Sequence, residues 1–158
     1  MIRISRNTDY AARVILHLSC LGPNAKASIT DIAQVRKLPV PFVRRLIAPL
    51  IRAGLLLTVR GANGGLRLAR EPKDISLADV VLAMEGPLAL NDCVEDADTC
   101  PFSSRCPVNR AWDEASLNLQ HMLEGYRFDA LAKGIEGHAE AHARMSKKSV
   151  ARASTHGH

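Results

Sequence analysis

Cys93, Cys100 and Cys106 fall within the fourteen-residue stretch CVEDADTCPFSSRC, in a chain that holds only four cysteines. Thiolates are soft ligands for zinc and for iron–sulfur clusters, and when activated they are nucleophiles. Spacing separates these uses in part. A structural zinc site favours cysteines separated by about two to four residues, with a fourth Cys or His close by. Here six and then five residues intervene, and no histidine lies between residues 18 and 120. Gaps of that width make a loop able to wrap a larger object, such as a cluster held by thiolates, with one iron left for a different ligand. Zinc, redox thiols and unligated cysteines stay open on these residues alone. Cys20 falls inside the first expected helix, where a free cysteine reads as a small buried hydrophobe.

A second constellation is cationic. Residues 1–86 carry 13 Lys/Arg against 6 Asp/Glu, whereas residues 87–128 carry 3 against 7. A basic first half and an acidic cysteine segment suggest a polyanionic partner for the former. The stretch PVPFVRRLIAPLIRAG predicts a helix over 39–53 whose exposed first residues are Pro39, Val40, Pro41, Phe42, Arg44 and Arg45. Arginine can take two acceptors of guanine at once or clamp a phosphate. Arg60 and Arg67 flank the glycine-rich tip GANGG, with Gly61, Asn63 and Gly64 free to bring backbone close to DNA. The plainer reading is solvated arginines beside an ordinary turn. GANGG is not a phosphate loop, since no Lys-Ser/Thr and helix follow it.

The elements that would position these residues are legible from period and punctuation. An Asn-Thr-Asp cluster suits the cap of a helix over 7–21, with Ala11, Val14, Ile15 and Leu18 at helical spacing. Ser28 or Thr30 can cap a short helix with Ile29, Ile32, Ala33 and Val35 apolar. In the third helix Pro41 suits the first turn, Pro49 predicts a bend or early end, and Gly54 a stop. LLLTVRGANGGLRLAR reads as a β-hairpin, LADVVLAMEG as a helix, Pro107–Glu124 as a long helix and FDALAK as a short one. Three short helices before a hairpin describe a winged helix-turn-helix, in which the third helix enters the major groove. The fold class is therefore mainly α with a small β-hairpin wing.

Other functions are disfavoured. There is no C-x-x-C and no readable nucleophile–base pair, so an enzyme is not expected; His17 and His121 lie near apolar helix faces and read as partly buried structural residues. MIRISRNTDY turns polar at once and VILHL is too short to span a bilayer, so a cytoplasmic protein without a membrane partner is expected. The tail over 134–158 lacks a sustained apolar face and reads as disordered. Its histidines, His138, His142, His156 and His158, read as incidental.

Taken in order, RISRNTDYAARV, IAPLIRAGLLLTVRGANGGLRLA, DISLADVVLAMEG and the triple-cysteine loop before a long helix resemble the Rrf-two family of bacterial transcription regulators. The resemblance covers about residues 1–133. It implies a DNA-binding unit over 1–86, a cluster-binding cysteine loop over 87–106, a dimerisation helix and short helix over 107–133, and the tail. It further implies a homodimer on a pseudo-palindromic operator in double-stranded DNA, acting as a repressor. Cys93, Cys100 and Cys106 would hold an iron–sulfur cluster responding to nitric oxide, iron or redox state. The IscR-like branch has a histidine three residues after the third cysteine, where this chain has Asn109. Some NsrR-like members use an aspartate in a Thr-Asp motif to reach the partner's cluster, and Thr8-Asp9 stands here. Asp9 is thus the fourth-ligand candidate, and 4Fe–4S is favoured over 2Fe–2S. The P-L-x-x-A-G-L segment also resembles the RirA-like branch, which has Asn in place of that aspartate. The rival is a winged-helix protein with structural zinc and no sensing role.

Overall fold

In the computed structural model, which describes residues 3–134, α1 (Arg6–Cys20) starts earlier than the sequence suggests. Ser5, not the Asn-Thr-Asp cluster, is its cap: the Ser5 Oγ accepts from the Thr8 amide at 3.3 Å. Thr8 and Asp9 therefore lie within the first turns, where a carboxylate complements the helix dipole. Ala11, Val14, Ile15 and Leu18 are buried along one stripe. Ser28 caps α2 (Ile29–Arg36), accepting from the Asp31 amide at 3.0 Å.

The third helix, α3 (Val40–Arg52), has Pro41 in its first turn as expected. Pro49 does not end it. Proline removes one helical donor, but buried Leu46, Ile47 and Leu50 hold this stretch against the core, and packing outweighs the local loss. Both α2 and α3 terminate in the same left-handed motif. In α3 the Gly54 amide donates to Ile51 and the Leu55 amide to Leu50, each at 2.9 Å. In α2 the Lys37 amide donates to Gln34 at 3.3 Å and the Leu38 amide to Ala33 at 2.8 Å. Gly54 has φ 68° and Lys37 has φ 53°, so a lysine occupies a backbone position that favours glycine.

The wing is an antiparallel hairpin, β1 (Leu56–Val59) and β2 (Gly65–Leu68), with Leu56 opposite Leu68 and Val59 opposite Gly65. On its other edge β2 makes one further bridge, Leu66 with Ala27, through hydrogen bonds of 2.8 and 3.0 Å. The bridge ties the wing to the segment that leads into α2. Arg70 fastens the wing's base: its guanidinium donates to the carbonyls of Gly54 at 3.3 Å and Asp74 at 3.4 Å, and lies 3.6 Å from the Asp79 carboxylate.

A capping box between Ser76 and Asp79 starts α4 (Leu77–Glu85). The cysteine segment is not an open loop but a series of tight turns: α5 (Asp92–Glu95), then single 3₁₀ turns at Ala97–Thr99 and Ser103–Arg105. The long α6 (Pro107–Glu124) matches its expected bounds, and α7 (Phe128–Lys133) follows. The chain then returns to its first half. The Leu77 amide donates to Tyr126 at 2.9 Å and the Phe128 amide to Ile75 at 3.0 Å, and Phe128 is 1% exposed in the core beside α1.

Two side chains differ from expectation. Cys20 is half-buried rather than a core residue, with the Arg36 guanidinium 3.8 Å from its sulfur; burial pushes its thiol up in pKa, against the opposing pull of Arg36. His121 is exposed, whereas His17 is fully buried. The expected disordered tail, from residue 135 onward, and its histidines lie outside the described residues. Among the described residues no helix is long and apolar enough to cross a membrane.

Candidate nucleic-acid interface and cysteine centre

Helices α2 and α3 form the helix-turn-helix, joined through Lys37, Leu38 and Pro39. Leu38 is buried, and Pro39 caps α3 by backbone alone, its carbonyl accepting from the Phe42 and Val43 amides at 3.0 and 3.2 Å. Helical spacing then sorts α3 into two faces. Val43, Leu46, Ile47 and Leu50 face the core, while Pro39, Pro41, Arg44 and Arg45 are exposed and Val40 and Phe42 half-buried. The Arg45 guanidinium lies 4.3 Å from the centre of the Phe42 ring. An outward helix start carrying two guanidinium groups has the donor chemistry for base edges and phosphates.

In the wing, Arg60, Gly61 and Asn63 are exposed at the tip. Arg67 is half-buried in β2, opposite Leu57. Gly64 has a reason internal to the chain. A Cβ there would collide with the Val59 carbonyl oxygen, so the glycine is needed to close the hairpin whatever the tip approaches. Lys37 escaped the sequence reading. It is exposed at the helix-turn-helix corner, and the signal that could have found it is a cation where the turn itself favours glycine.

The three cysteines are free thiols, each half-buried. Cys93 lies in α5, Cys100 closes one 3₁₀ turn, and Cys106 caps α6. Side chains fix the turns. The buried Ser103 hydroxyl donates to the carbonyls of Ala97 and Cys100, and the Asp98 amide donates to the Asp96 carboxylate at 3.0 Å. Asn109, at the position where one branch would have histidine, donates its amide to the Cys93 carbonyl at 2.8 Å and to the Cys93 sulfur at 3.2 Å.

Among the described residues no group of three or more His, Cys, Asp or Glu converges as a single metal ion requires. Asp9 is not gathered with the cysteines: its carboxylate pairs with Arg13 at 2.8 Å on the exposed face of α1. Three sulfur donors, with no imidazole gathered beside them among the described residues, are of the kind that hold an iron–sulfur cluster, whereas a structural zinc ion needs four ligands around one point.

Two further features adjoin this segment. The Glu85 carboxylate, at the end of α4, accepts from the Ser5 amide at 2.8 Å and the Thr8 hydroxyl at 2.5 Å. Burial alone would raise its pKa, but the bonds from Thr8 and Ser5 hold it below its ordinary value. On α6 the apolar stripe is incompletely covered: Val108 is 58% exposed, Trp112 40% and Met122 54%.

A family model described as Rrf2, an iron-dependent transcriptional regulator, matches residues 4–134. Protein aau3 of Rhizobium meliloti (strain 1021) is 35% identical over 133 residues, 84% of this chain and 86% of that protein. The HTH-type transcriptional regulator NsrR of Geobacillus kaustophilus (strain HTA426) is 31% identical over 126 residues, 79% of this chain and 86% of its own length. Among solved structures, CymR, the global cysteine regulator of B. subtilis, superposes with a TM-score of 0.70 at 26% identity, covering 86% of this chain and all of CymR.

Proposed function

Since the chain belongs to the Rrf2 family of transcriptional regulators, which bind DNA and are not enzymes, we propose that it is a homodimeric repressor whose operator affinity depends on an iron–sulfur cluster. The observation that carries this reading is the placement of three free, half-buried thiols between the DNA-binding elements and α6. Cys93, Cys100 and Cys106 would hold the cluster, 4Fe–4S in preference to 2Fe–2S, with Asp9 supplied by the second protomer. When bound, such a cluster supplies a centre open to dismantling by nitric oxide, oxidation or iron loss.

The chain's own residues account for the remainder. Asn109 orients Cys93 by holding both its carbonyl and its sulfur. Asp9 must give up Arg13 to act as a ligand, so its commitment is reversible. Glu85 ties the end of α4 to the first turn of α1, directly before the cysteine segment. The exposed stripe of α6 would close the dimer, placing two α3 helices in successive major grooves of a pseudo-palindrome. Pro39, Val40, Pro41, Phe42, Arg44 and Arg45 would meet the major groove, and Arg60, Gly61, Asn63, Gly64 and Arg67 the flanking backbone.

Anaerobic purification with iron, sulfide and zinc assays tests the reading, paired with operator binding by cluster-loaded and cluster-free protein. Iron and sulfide near four per chain, with weaker binding after cluster loss, is the expected outcome. Stoichiometric zinc, or equal affinity of the two forms, would remove the sensing role and leave a DNA-binding protein. Arg60→Ala should weaken operator binding in either case and lower the salt slope by about one unit.

A further inference from the structure

Aromatic residues are scarce in this chain, three Phe, two Tyr and one Trp, yet two of the six meet between α1 and α3. Tyr10 on α1 meets the Phe42 ring edge-on, with centroids 6.0 Å apart and planes at 80°. Each ring also carries an arginine three residues further along its own helix. The Arg45 guanidinium lies 4.3 Å from the Phe42 centroid and the Arg13 guanidinium 5.7 Å from that of Tyr10. Both rings are half-buried: Tyr10 packs against the edge of the core, and Phe42 lies outside the core cluster.

A free arginine side chain samples many rotamers and loses that freedom when it binds. A guanidinium stacked on a ring keeps its N–H donors in the plane of the fork, available at the edge, while its face is held. Such a group meets the paired acceptors of a guanine with less ordering left to do. Arg44, one residue earlier, has no comparable ring contact among the described residues.

We propose that Phe42, braced edge-on by Tyr10, is a positioning residue that presents Arg45 to a base edge and so sets sequence discrimination by α3. The proposal rests on the DNA-binding reading of α3 given above. It makes the two arginines of the helix unequal. Arg45 is the specificity contact, pre-ordered by the aromatic pair.

The test uses full-length protein and a duplex enriched by it from a random pool, read by fluorescence anisotropy beside a scrambled duplex of equal length. Arg45→Gln should weaken the enriched duplex about tenfold and the scrambled one little. Phe42→Leu should cost about threefold to fivefold on the enriched duplex, and Phe42→Trp, which keeps a ring, should restore most of it. Tyr10→Leu, on the other helix, should give a smaller loss of the same kind, and Tyr10→Phe none. In the Arg45→Gln background Phe42→Leu should add nothing, a non-additivity that a purely structural role would not produce. Helicity and thermal midpoint confirm that each variant folds, and Tyr10→Leu serves if Phe42→Leu does not. Equal costs of Phe42→Leu with and without Arg45 would overturn the proposal. So would an unchanged Arg45→Gln; weakening by Arg60→Ala in that same series would show that the DNA reading survives. Failure to enrich any duplex would overturn both.

Discussion

The two halves of this protomer are finished to different degrees. The helix-turn-helix and wing are complete in one chain: their aliphatic core is closed, their helix ends are capped, and even the outer edge of β2 is partly paired by Ala27. The cysteine segment and α6 are not. Three thiols stand half-buried without metal-holding convergence, and α6 leaves Val108, Trp112 and Met122 to solvent. A half that is complete alone behaves as a rigid reader. On the proposed reading a cluster and a second chain would complete the other half, and its geometry would then be set by both. In a regulator, the unfinished half is where a signal can act.

Substitution of Cys100 makes the largest difference between the halves. Cys100→Ala removes one of only three thiols from a segment of short turns, and it should abolish cluster assembly while leaving the helix-turn-helix folded. Iron and sulfide analysis should read near zero, with a circular dichroism melt close to that of the cluster-free parent. Normal iron content in this variant would exclude Cys100 as a ligand. The mirror experiment lies in the finished half. Leu50 is fully buried and closes the end of α3, so Leu50→Ala should cost about 3 kcal/mol in chemical unfolding, through lost transfer energy and a cavity. A cost below about 1 kcal/mol would mean that this core relaxes freely and is not the rigid unit described.

A surface residue of the unfinished half should act elsewhere. Trp112→Ala should raise the dimer dissociation constant about tenfold in sedimentation equilibrium, equivalent to about 1.4 kcal/mol, since aromatic anchors dominate interfaces. An unchanged dimer would move the interface off the α6 stripe. The seam between the halves should respond to pH. Glu85 is held below its ordinary pKa in the folded chain, so its hydrogen bonds contribute stability above the unfolded value near 4.5, and that contribution is lost as pH falls through the lowered folded value. Glu85→Gln should remove this group's share of the acid loss, at a cost of about 1 kcal/mol near neutrality. Parallel acid melts of the two proteins would show that the seam carries no linkage.

How much of this was legible without coordinates follows the same division. Period and punctuation locate α4, α6 and the hairpin because each carries a regular apolar pattern, although α6 leaves much of its stripe exposed. The fourth-ligand candidate and the dimer came through family resemblance, because a ligand from a second chain leaves no spacing within this one. Caps are less legible: the Asn-Thr-Asp cluster looks like a cap, but Ser5 takes the role and leaves Thr8 and Asp9 inside the helix, paired with Glu85 and Arg13. The early end expected at Pro49 fails for a different reason, since the penalty of proline is local and the packing around Leu46 and Leu50 is not. The bridge from Ala27 to Leu66, the return of α7 onto α1 and the Arg70 clamp join residues far apart in the chain, beyond any window of periodicity.

The smallest predicted effect asks most of the comparison, because it lies in the finished half at a position that is not optimised for folding. Gly54 and Lys37 close α3 and α2 with the same hydrogen-bond pattern and the same left-handed backbone, but only one of them is glycine. A side chain in that conformation is strained, while glycine is freer in the unfolded chain, so the two terms partly offset. Lys37→Gly should therefore stabilise the fold by about 0.5 kcal/mol, visible as a rise of about 1–2 °C in Tm. If the lysine is retained for its charge, the same variant should bind operator more weakly and lose about one unit of salt slope. Higher stability with weaker binding would show that even the complete half gives up folding energy at the DNA surface. Higher stability with unchanged binding would make Lys37 a solvated turn residue and confine the interface to α3 and the wing.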